Sequence, residues 1–352
     1  MPPTSFNTLE RQLAVAVAAE LAKLRDASRR LLDIEWGHLP AEAPLLRRVA
    51  IVAADAGNVR LRLAPLRIAF VRVASSSSEA PLAELIFPSE LPSAELVALM
   101  RHELPSLLAP LDEAGVATDR LLEASSARRD RLAAVREVLE WGAILGTMRV
   151  RRPEPVLVVR DGLLRSIAFD ADSFASLRDA LLDASAATGN RLVAVAKQVP
   201  GGADLVNRLL LGGVLDRRPE GPLAWLRIPL EMEQDMLPAS FVQGRRMGPL
   251  LLVRMSQRQG FVPIETADGE IESIHAALGT LFGPSAEYWP EPGMPVEVRI
   301  AHERARISAL DRDWLHRAFL DQLEQRDPRL ARRAVLAEVL RAGGTVVTEE
   351  PS

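Results

Sequence analysis

The sequence predicts a mixed α/β protein, and the prediction depends on two observations. Short apolar runs rich in valine, isoleucine, leucine and alanine occur at residues 48–54, 156–159 and 192–196, and each leads to an ionisable residue at its carboxyl end. Such runs are typical of strands that are buried on both faces of a sheet. Between the runs lie longer segments with apolar residues at helical spacing, which predict helices that cover one mixed sheet.

The first half of the chain is predicted to begin with an amphipathic helix over residues 8–32. Strands follow at 48–54, 60–66 and 66–74, with a turn at residues 55–58 after the first of them. Helices are predicted for 93–111 and 119–148. A strand that ends at Asp161, a helix over 173–187 and a strand that ends at Lys197 complete this half.

The second half of the chain shows weaker patterns. Residues 296–300 fit a helix or a strand equally well, and the segment from residue 343 is read as loose. The other elements predicted here are helices at 203–211, 273–282, 312–325 and 328–342 and strands at 223–229, 247–255 and 261–263. As domains, we predict an N-terminal helical segment (1–45), a central domain (46–325) and a C-terminal helix with a tail (326–352).

Composition narrows the classes of function. The chain has 352 residues, 48% of them hydrophobic and 26% charged, which is an ordinary balance for a globular protein. It contains no apolar run long enough for a membrane span and no signal-peptide pattern, so we expect a cytoplasmic protein. Because the chain has no cysteine, a metal would be held by carboxylate, imidazole or carbonyl groups. The net charge of −4 still permits a local basic groove.

Ionisable residues at the ends of the buried runs are the candidate site. Asp55, Asp161 and a glutamate from the helix between them could bind one or two Mg²⁺ or Mn²⁺ ions. Such ions activate water in phosphodiester cleavage. Lys197, one of only two lysines, could offset phosphate charge, and His302 could bind metal or carry a proton. The alternative is structural, since strands often end in polar residues and a lone histidine is more often structural.

These residues stand in a recognisable order. Val-Ala-Ile-Val-Ala-Ala precedes Asp55, Val-Leu-Val-Val-Arg precedes Asp161-Gly162, Val-Ala-Val-Ala precedes Lys197, and residues 301–305 read Ala-His-Glu-Arg-Ala. With the helical glutamate, this succession resembles the NurA family over residues 48–320. The resemblance implies a ribonuclease-H-like core, a dimer, a HerA-type hexameric ATPase as partner, and Mn²⁺-dependent single-strand endonuclease and 5′-to-3′ exonuclease activity in DNA end processing or repair.

The resemblance also assigns roles to residues. It makes Asp55 the first metal ligand, Glu140 the second (with Glu137 as a rival) and Asp161 the third. Lys197 takes the basic position, and His302 the late histidine. We therefore expect two Mn²⁺ ions, with Mg²⁺ as a possible substitute.

The sequence departs from the family at two points. Asp55-Ala-Gly-Asn replaces the usual Asp-Gly-Ser, and Met294 stands at the place of a tyrosine, with the only tyrosine, Tyr288, six residues before it. These departures keep a second hypothesis open, which is a catalytically weakened DNA-binding or regulatory subunit of the ATPase complex. An actin-like phosphotransferase is a poorer fit, because neither aspartate is followed by a glycine-rich phosphate loop.

Arginines supply almost all of the positive charge. Clusters of arginines can grip DNA phosphates without reading bases, and few aromatic residues stand beside them to stack on bases. The alternative for each cluster is a solvated surface. The predicted DNA contacts are Arg149, Arg151, Arg152, Arg245 and Arg246, and residues 128–131 form a further basic cluster.

Overall fold

The structure is a computed structural model of the whole chain. The residues that it describes are 4–29, 34, 36–38, 49–63, 66–126, 131–166, 168–196, 202–211, 213–214, 224–236, 245–254, 261–269, 274–275, 278–279, 281 and 295–341. The strands are β1 (Trp36–His38), β2 (Ala50–Leu63), β3 (Leu66–Ser75), β4 (Ala83–Pro88), β5 (Val156–Asp161), β6 (Arg191–Val195), β7 (Ala224–Arg227), β8 (Leu250–Arg254) and β9 (Phe261–Thr266).

Helices separate and flank the strands. They are α1 (Thr4–Arg29), α2 (Ser93–Glu103), α3 (Pro105–Glu113), α4 (Thr118–Ser126), α5 (Arg131–Arg149), α6 (Ala171–Thr188), α7 (Gly202–Leu211), α8 (Leu230–Met236), α9 (Val296–Ala305), α10 (Ala309–Arg326) and α11 (Pro328–Arg341). No helix in the described part of the chain is long and apolar enough to cross a membrane.

The chain divides into two compact units. The first comprises residues 1–49, 162–165 and 193–295, and the second comprises 50–161, 166–192 and 296–352. Our sequence-based domain limits at residues 45 and 325 stay a prediction.

The second unit contains the strands that matter most for the site. β2 pairs antiparallel with β3, β3 pairs antiparallel with β4, and β5 lies parallel to β2 on its other side. Helix α5 packs on β2 and β3, and α9 packs on β2, β3 and β5. An antiparallel meander with a parallel strand beside its first strand is a ribonuclease-H-like arrangement. The predicted fold class, a mixed sheet flanked by helices, is confirmed.

The start of β5 is fixed by a buried asparagine. The Asn190 side chain donates hydrogen bonds to the carbonyl oxygens of Met148 and Val150, at 2.9 and 3.1 Å, and accepts one from the Val156 amide at 3.0 Å. The same side chain thus joins the end of α5 to the start of β5. Because Asp161 ends β5, this contact helps to position it.

The first unit has an antiparallel sheet in the strand order β1-β7-β8-β9-β6. Its apolar core includes Leu209, Leu226 and Leu250, and α1 packs against α7. A fully buried ion network lies in the same unit. The Arg165 guanidinium contacts carboxylate oxygens of Glu233 and Glu265 at 2.5 Å each, and all three side chains are 0% exposed.

Two sequence predictions need correction. The turn predicted at residues 55–58 is wrong, because β2 continues through them and pairs with β3 from Ala54 opposite Ser75 to Leu63 opposite Leu66. The helix predicted over 93–111 is two helices, since Pro105 lacks the amide hydrogen that would continue the first. Strands β1 and β4 and helix α8 were not predicted. Residues 296–300, which fitted either pattern, begin helix α9.

Candidate metal centre

Two carboxylates and an imidazole meet in the second unit. The His302 Nδ1 atom lies 2.9 Å from Oδ2 of Asp55 and 3.2 Å from Oδ2 of Asp161. One ligand atom from each of the three residues lies within 4.8 Å of the other two. These three residues, predicted from distant parts of the sequence, form the candidate metal centre.

The register of two parallel strands brings the aspartates together. In the β2–β5 pair, Ala54 lies opposite Arg160, and Asp55 and Asp161 are the next residues of the two strands. Both carboxylates therefore reach the same side of the sheet, because side chains alternate along a strand. The predicted proximity of the aspartates is present, although Asp55 lies within its strand and not at the end of it.

Close packing against β2 brings His302 to the aspartates. At Gly57, two residues after Asp55, an added Cβ would overlap the carbonyl oxygen of Ala305 and lie 3.0 Å from its carbonyl carbon. Only glycine lets the end of α9 approach β2 this closely. His302 lies three residues before Ala305, about one turn of the helix away, so the contact also sets the position of its imidazole.

The same end of α9 is also tied to the turn between β3 and β4. The Arg304 guanidinium donates hydrogen bonds to the carbonyl oxygens of Ser75 and Ser76 at 3.0 Å each, and to that of Ser78. Arg72 of β3 donates to the carbonyl oxygen of Arg306 at 3.3 Å. These contacts hold α9 on the meander that carries Asp55.

Negative charge is concentrated at the centre. Burial raises the pKa of Asp55 to about 6, and the carboxylates of Glu140 and Asp161 add to this effect, whereas a hydrogen bond from the Ala56 amide and the His302 imidazole lower the pKa. The carboxylate side chains of Asp55 and Asp161 are 14% and 13% exposed, and the imidazole is 39% exposed. A cation that reached this centre would relieve the repulsion between the carboxylates.

The two candidate glutamates on α5 have other partners. Both oxygens of Glu140 face Arg160 of β5, with Nε at 2.8 Å from Oε1 and Nη2 at 3.4 Å from Oε2. Glu137 accepts hydrogen bonds from the indole of Trp141 at 3.4 Å and from the amide of Ala168 at 3.3 Å. Burial raises the pKa of Glu137. Among the described residues, only Asp55, Asp161 and His302 lie close enough together to share a metal ion, and neither glutamate belongs to this group.

The remaining predicted residues are dispersed or not described. Lys197, Met294, Tyr288 and residues 128–130 lie outside the described part of the chain. Arg149 contacts Glu113 at 2.5 Å, and Arg152 donates to the carbonyl oxygen of Thr147 at 3.3 Å.

Arg151 is exposed, and Arg245 and Arg246 are half-buried. Arg246 belongs to the first unit, where its guanidinium lies 3.4 Å from Glu233. DNA binding by the five predicted arginines stays a prediction.

Two residues at the site were missed. Arg160 and Arg304 hold neighbouring groups in place, and neither was singled out from the sequence. A signal for Arg160 existed, since an arginine in an otherwise apolar, buried strand needs a buried acidic partner. The sequence offers no comparable signal for Arg304, because its carbonyl partners depend on how a turn far away in the chain is folded.

The donor set fits a divalent ion such as Mn²⁺. Carboxylates suit Mg²⁺ and Mn²⁺, and imidazole suits the transition metals, so two carboxylates with one imidazole fit Mn²⁺ better than Mg²⁺. The two negative charges of Asp55 and Asp161 also balance one divalent ion.

Solved structures of NurA nucleases resemble this chain. The NurA nuclease from Sulfolobus solfataricus is 14% identical, with 92% of this chain and 98% of that one covered and a TM-score of 0.42. A second NurA structure is 14% identical, with 93% and 99% covered and a TM-score of 0.43. A NurA structure with manganese is 15% identical, with 92% and 100% covered and a TM-score of 0.41. No family model matches the sequence, and no curated protein sequence does.

Proposed function

We propose that this chain is a metal-dependent deoxyribonuclease. The observation that carries the proposal is the meeting of Asp55, Asp161 and His302, whose ligand atoms lie within 4.8 Å of one another. Three segments far apart in sequence converge on one point where two carboxylates repel each other. Because of this repulsion, the cluster contributes little to the stability of the folded state, and it is well suited to binding a cation.

In this proposal the chain supplies a site for phosphodiester hydrolysis. A divalent ion, when bound, would polarise the phosphate and lower the pKa of a water molecule. Asp55 and Asp161 would hold the ion, and the half-exposed His302 would complete the site or carry a proton at its imidazole. Oxygen from water forms a bond to phosphorus, the bond to one sugar oxygen breaks, and a proton passes to that oxygen.

The finer parts of the proposal come from the sequence resemblance. They are single-strand endonuclease and 5′-to-3′ exonuclease activity, dependence on Mn²⁺, action as a cytoplasmic homodimer with a HerA-type ATPase, and a role in DNA end processing or repair. Lys197 is proposed to offset phosphate charge. The second ion predicted from the sequence would need Glu140 as a ligand, and that carboxylate is paired with Arg160.

The first test is cleavage of end-labelled single-stranded and double-stranded DNA with Mn²⁺, Mg²⁺ or EDTA. Wild-type protein is compared with Asp55→Asn and Asp161→Asn, and labels at the 5′ and 3′ ends separate the two exonuclease polarities. We expect cleavage in Mn²⁺ that EDTA abolishes and that falls at least about 100-fold in both variants, because each loses a charged ligand.

Asp179→Asn is the matched control. Its carboxylate lies on α6, is 62% exposed and pairs with the neighbouring, exposed Arg178, so the variant should cleave like the wild type. Absence of wild-type cleavage, even with a HerA-type ATPase and ATP, would refute the enzyme and favour the DNA-binding or regulatory subunit. Cleavage that survives in both aspartate variants would refute the site.

A further inference from the structure

We propose that Arg160 is a positioning residue that acts as a fixed cation beside the metal centre, holds Glu140 and limits the centre to one divalent ion. The inference deepens the proposed nuclease function and rests on it for the presence of a metal. It differs from the two ions expected from the sequence. Its basis is the environment of the Arg160 guanidinium, which is set by side chains of α5.

The guanidinium of Arg160 is fixed on two sides. Its side chain is 8% exposed, and it lies over the indole ring of Trp141 with 4.3 Å from its central carbon to the ring centroid. Trp141 is itself fully buried and packs edge-on against Phe174. Stacking on this buried ring favours a cation at this position independently of Glu140. A rotation of Glu140 alone would therefore leave the positive charge where it is.

Glu140 is committed to this cation. The Arg160–Glu140 pair is fork-like, with contacts of 2.8 and 3.4 Å to different carboxylate oxygens, and the Glu140 side chain is 4% exposed. Moving a buried carboxylate to a metal would leave the guanidinium buried with less compensation, which is unfavourable. Consecutive residues of β5 thus serve different helices: Asp161 contacts His302 of α9, and Arg160 contacts Glu140 of α5.

Charge balance leads to the same stoichiometry. The Arg160–Glu140 pair is neutral, and Asp55 and Asp161 carry two negative charges, which one divalent ion neutralises. Glu140 and Arg160 both lie within electrostatic range of Asp55. A second divalent ion next to the same carboxylates would meet the repulsion of a guanidinium that is held in place.

The number of bound ions is the direct test. Mn²⁺ binding to the full chain is measured by the loss of the free-ion electron paramagnetic resonance signal and by calorimetry, without DNA. We expect one ion per chain for the wild type. Glu140→Gln should still bind one ion, more weakly than the wild type because the Arg160 charge is then unpaired, whereas Asp161→Asn removes a ligand and should lose at least about 10-fold in affinity.

Removal of the Arg160 guanidinium should change Mn²⁺ binding. Arg160→Met removes the guanidinium, and we expect it to bind a second Mn²⁺ ion or to bind the first at least about 10-fold more tightly. The double variant Arg160→Met/Glu140→Gln removes both charges and should return to one ion. Arg160→Lys keeps the charge and should also bind one ion.

Two bound ions in the wild type, one of which is lost in Glu140→Gln, would overturn the proposal. That comparison does not need Arg160→Met to fold, so the proposal stays testable if the unpaired Glu140 unfolds that variant. Failure of the nuclease function is distinguishable. A count of one ion that is the same in the wild type and in Glu140→Gln, without DNA cleavage, would support the role of Arg160 and refute the nuclease. Absence of Mn²⁺ binding would overturn both.

Discussion

Gly57→Ala should damage the metal centre without touching any of its ligands. Helix α9 reaches β2 at this glycine, and the added methyl group would overlap the carbonyl oxygen of Ala305. The overlap is with the backbone of a helix, so no side-chain rotation can remove it. We expect α9 to move away from β2 and to take His302 with it.

The size of the movement follows from the geometry. The new Cβ would lie 3.0 Å from the Ala305 carbonyl carbon. Because carbon atoms pack at roughly 3.5–4.0 Å, the end of α9 must move by at least about 0.5–1 Å, and the closer overlap with the carbonyl oxygen requires more. The His302 Nδ1 atom now lies 2.9 and 3.2 Å from the carboxylates of Asp55 and Asp161, so a shift of this size breaks both contacts. We expect Mn²⁺ affinity and DNA cleavage to fall about 10- to 100-fold.

The assay is Mn²⁺ calorimetry beside DNA cleavage, with circular dichroism to show that the variant is folded. Gly146→Ala is the matched control, since its Cβ would meet only the Pro110 side chain, at 3.8 Å, an ordinary contact. Gly146 lies inside α5, so this change should stabilise the helix by up to about 1 kcal/mol and leave the metal affinity unchanged. Unchanged affinity in Gly57→Ala would refute the argument that this contact positions His302.

Further predictions concern pH and the two buried networks. Without metal, the pKa of Asp55 is about 6 in the folded state against 3.8 in the unfolded chain, so the folded state binds more protons and stability should fall by about 3 kcal/mol between pH 4 and 6. Urea titrations in EDTA at several pH values measure this loss. An equal loss of stability between pH 4 and 6 in Asp55→Asn would contradict the prediction. Arg165→Met leaves Glu265 without its guanidinium partner and Glu233 with the longer contact to Arg246, and should cost roughly 3–5 kcal/mol in urea denaturation. Arg101→Met, at an exposed pair, should cost under about 1 kcal/mol. Equal costs would refute the importance of the network. Asn190→Ala leaves three backbone groups without their partner and should cost about 1–3 kcal/mol, and a loss below about 0.5 kcal/mol would contradict that reading.

The sequence predicted most strands because apolar runs are a local property. The strands at 156–161 and 191–195 were found from their composition, and Asp161 follows from the first of them. The end of β2 was misplaced for a non-local reason. Asp55-Ala-Gly-Asn has the composition of a turn, but these residues pair with β3, and Gly57 is needed for the approach of α9. Composition does not distinguish a glycine that turns the chain from one that makes room for a helix.

The partners of the glutamates on α5 also depend on distant contacts. Sequence spacing put Glu137 and Glu140 near one face of a helix, and both side chains are indeed buried. Whether a buried glutamate binds a metal or a guanidinium depends on which cation the neighbouring strand presents. Arg160 lies 20 residues from Glu140 in sequence and directly precedes Asp161. Strand β5 therefore carries one predicted metal ligand, Asp161, and also the arginine that pairs with a second predicted ligand, Glu140.

The sequence analysis assigned Asp55, Glu140 and Asp161 to one metal site, whereas in the structure Glu140 pairs with Arg160 instead. Asp55, Asp161 and His302 keep ligand atoms within 4.8 Å of one another while their carboxylates remain repulsive, which favours a cation that can enter and leave. Glu140 faces a cation that cannot leave, because Arg160 is part of the chain and is held by Trp141. Arg160 therefore balances the charge of Glu140, and the two negative charges of Asp55 and Asp161 remain for an ion. The loss of stability expected between pH 4 and 6 measures the cost of burying the charged Asp55, together with the repulsion from Glu140 and Asp161.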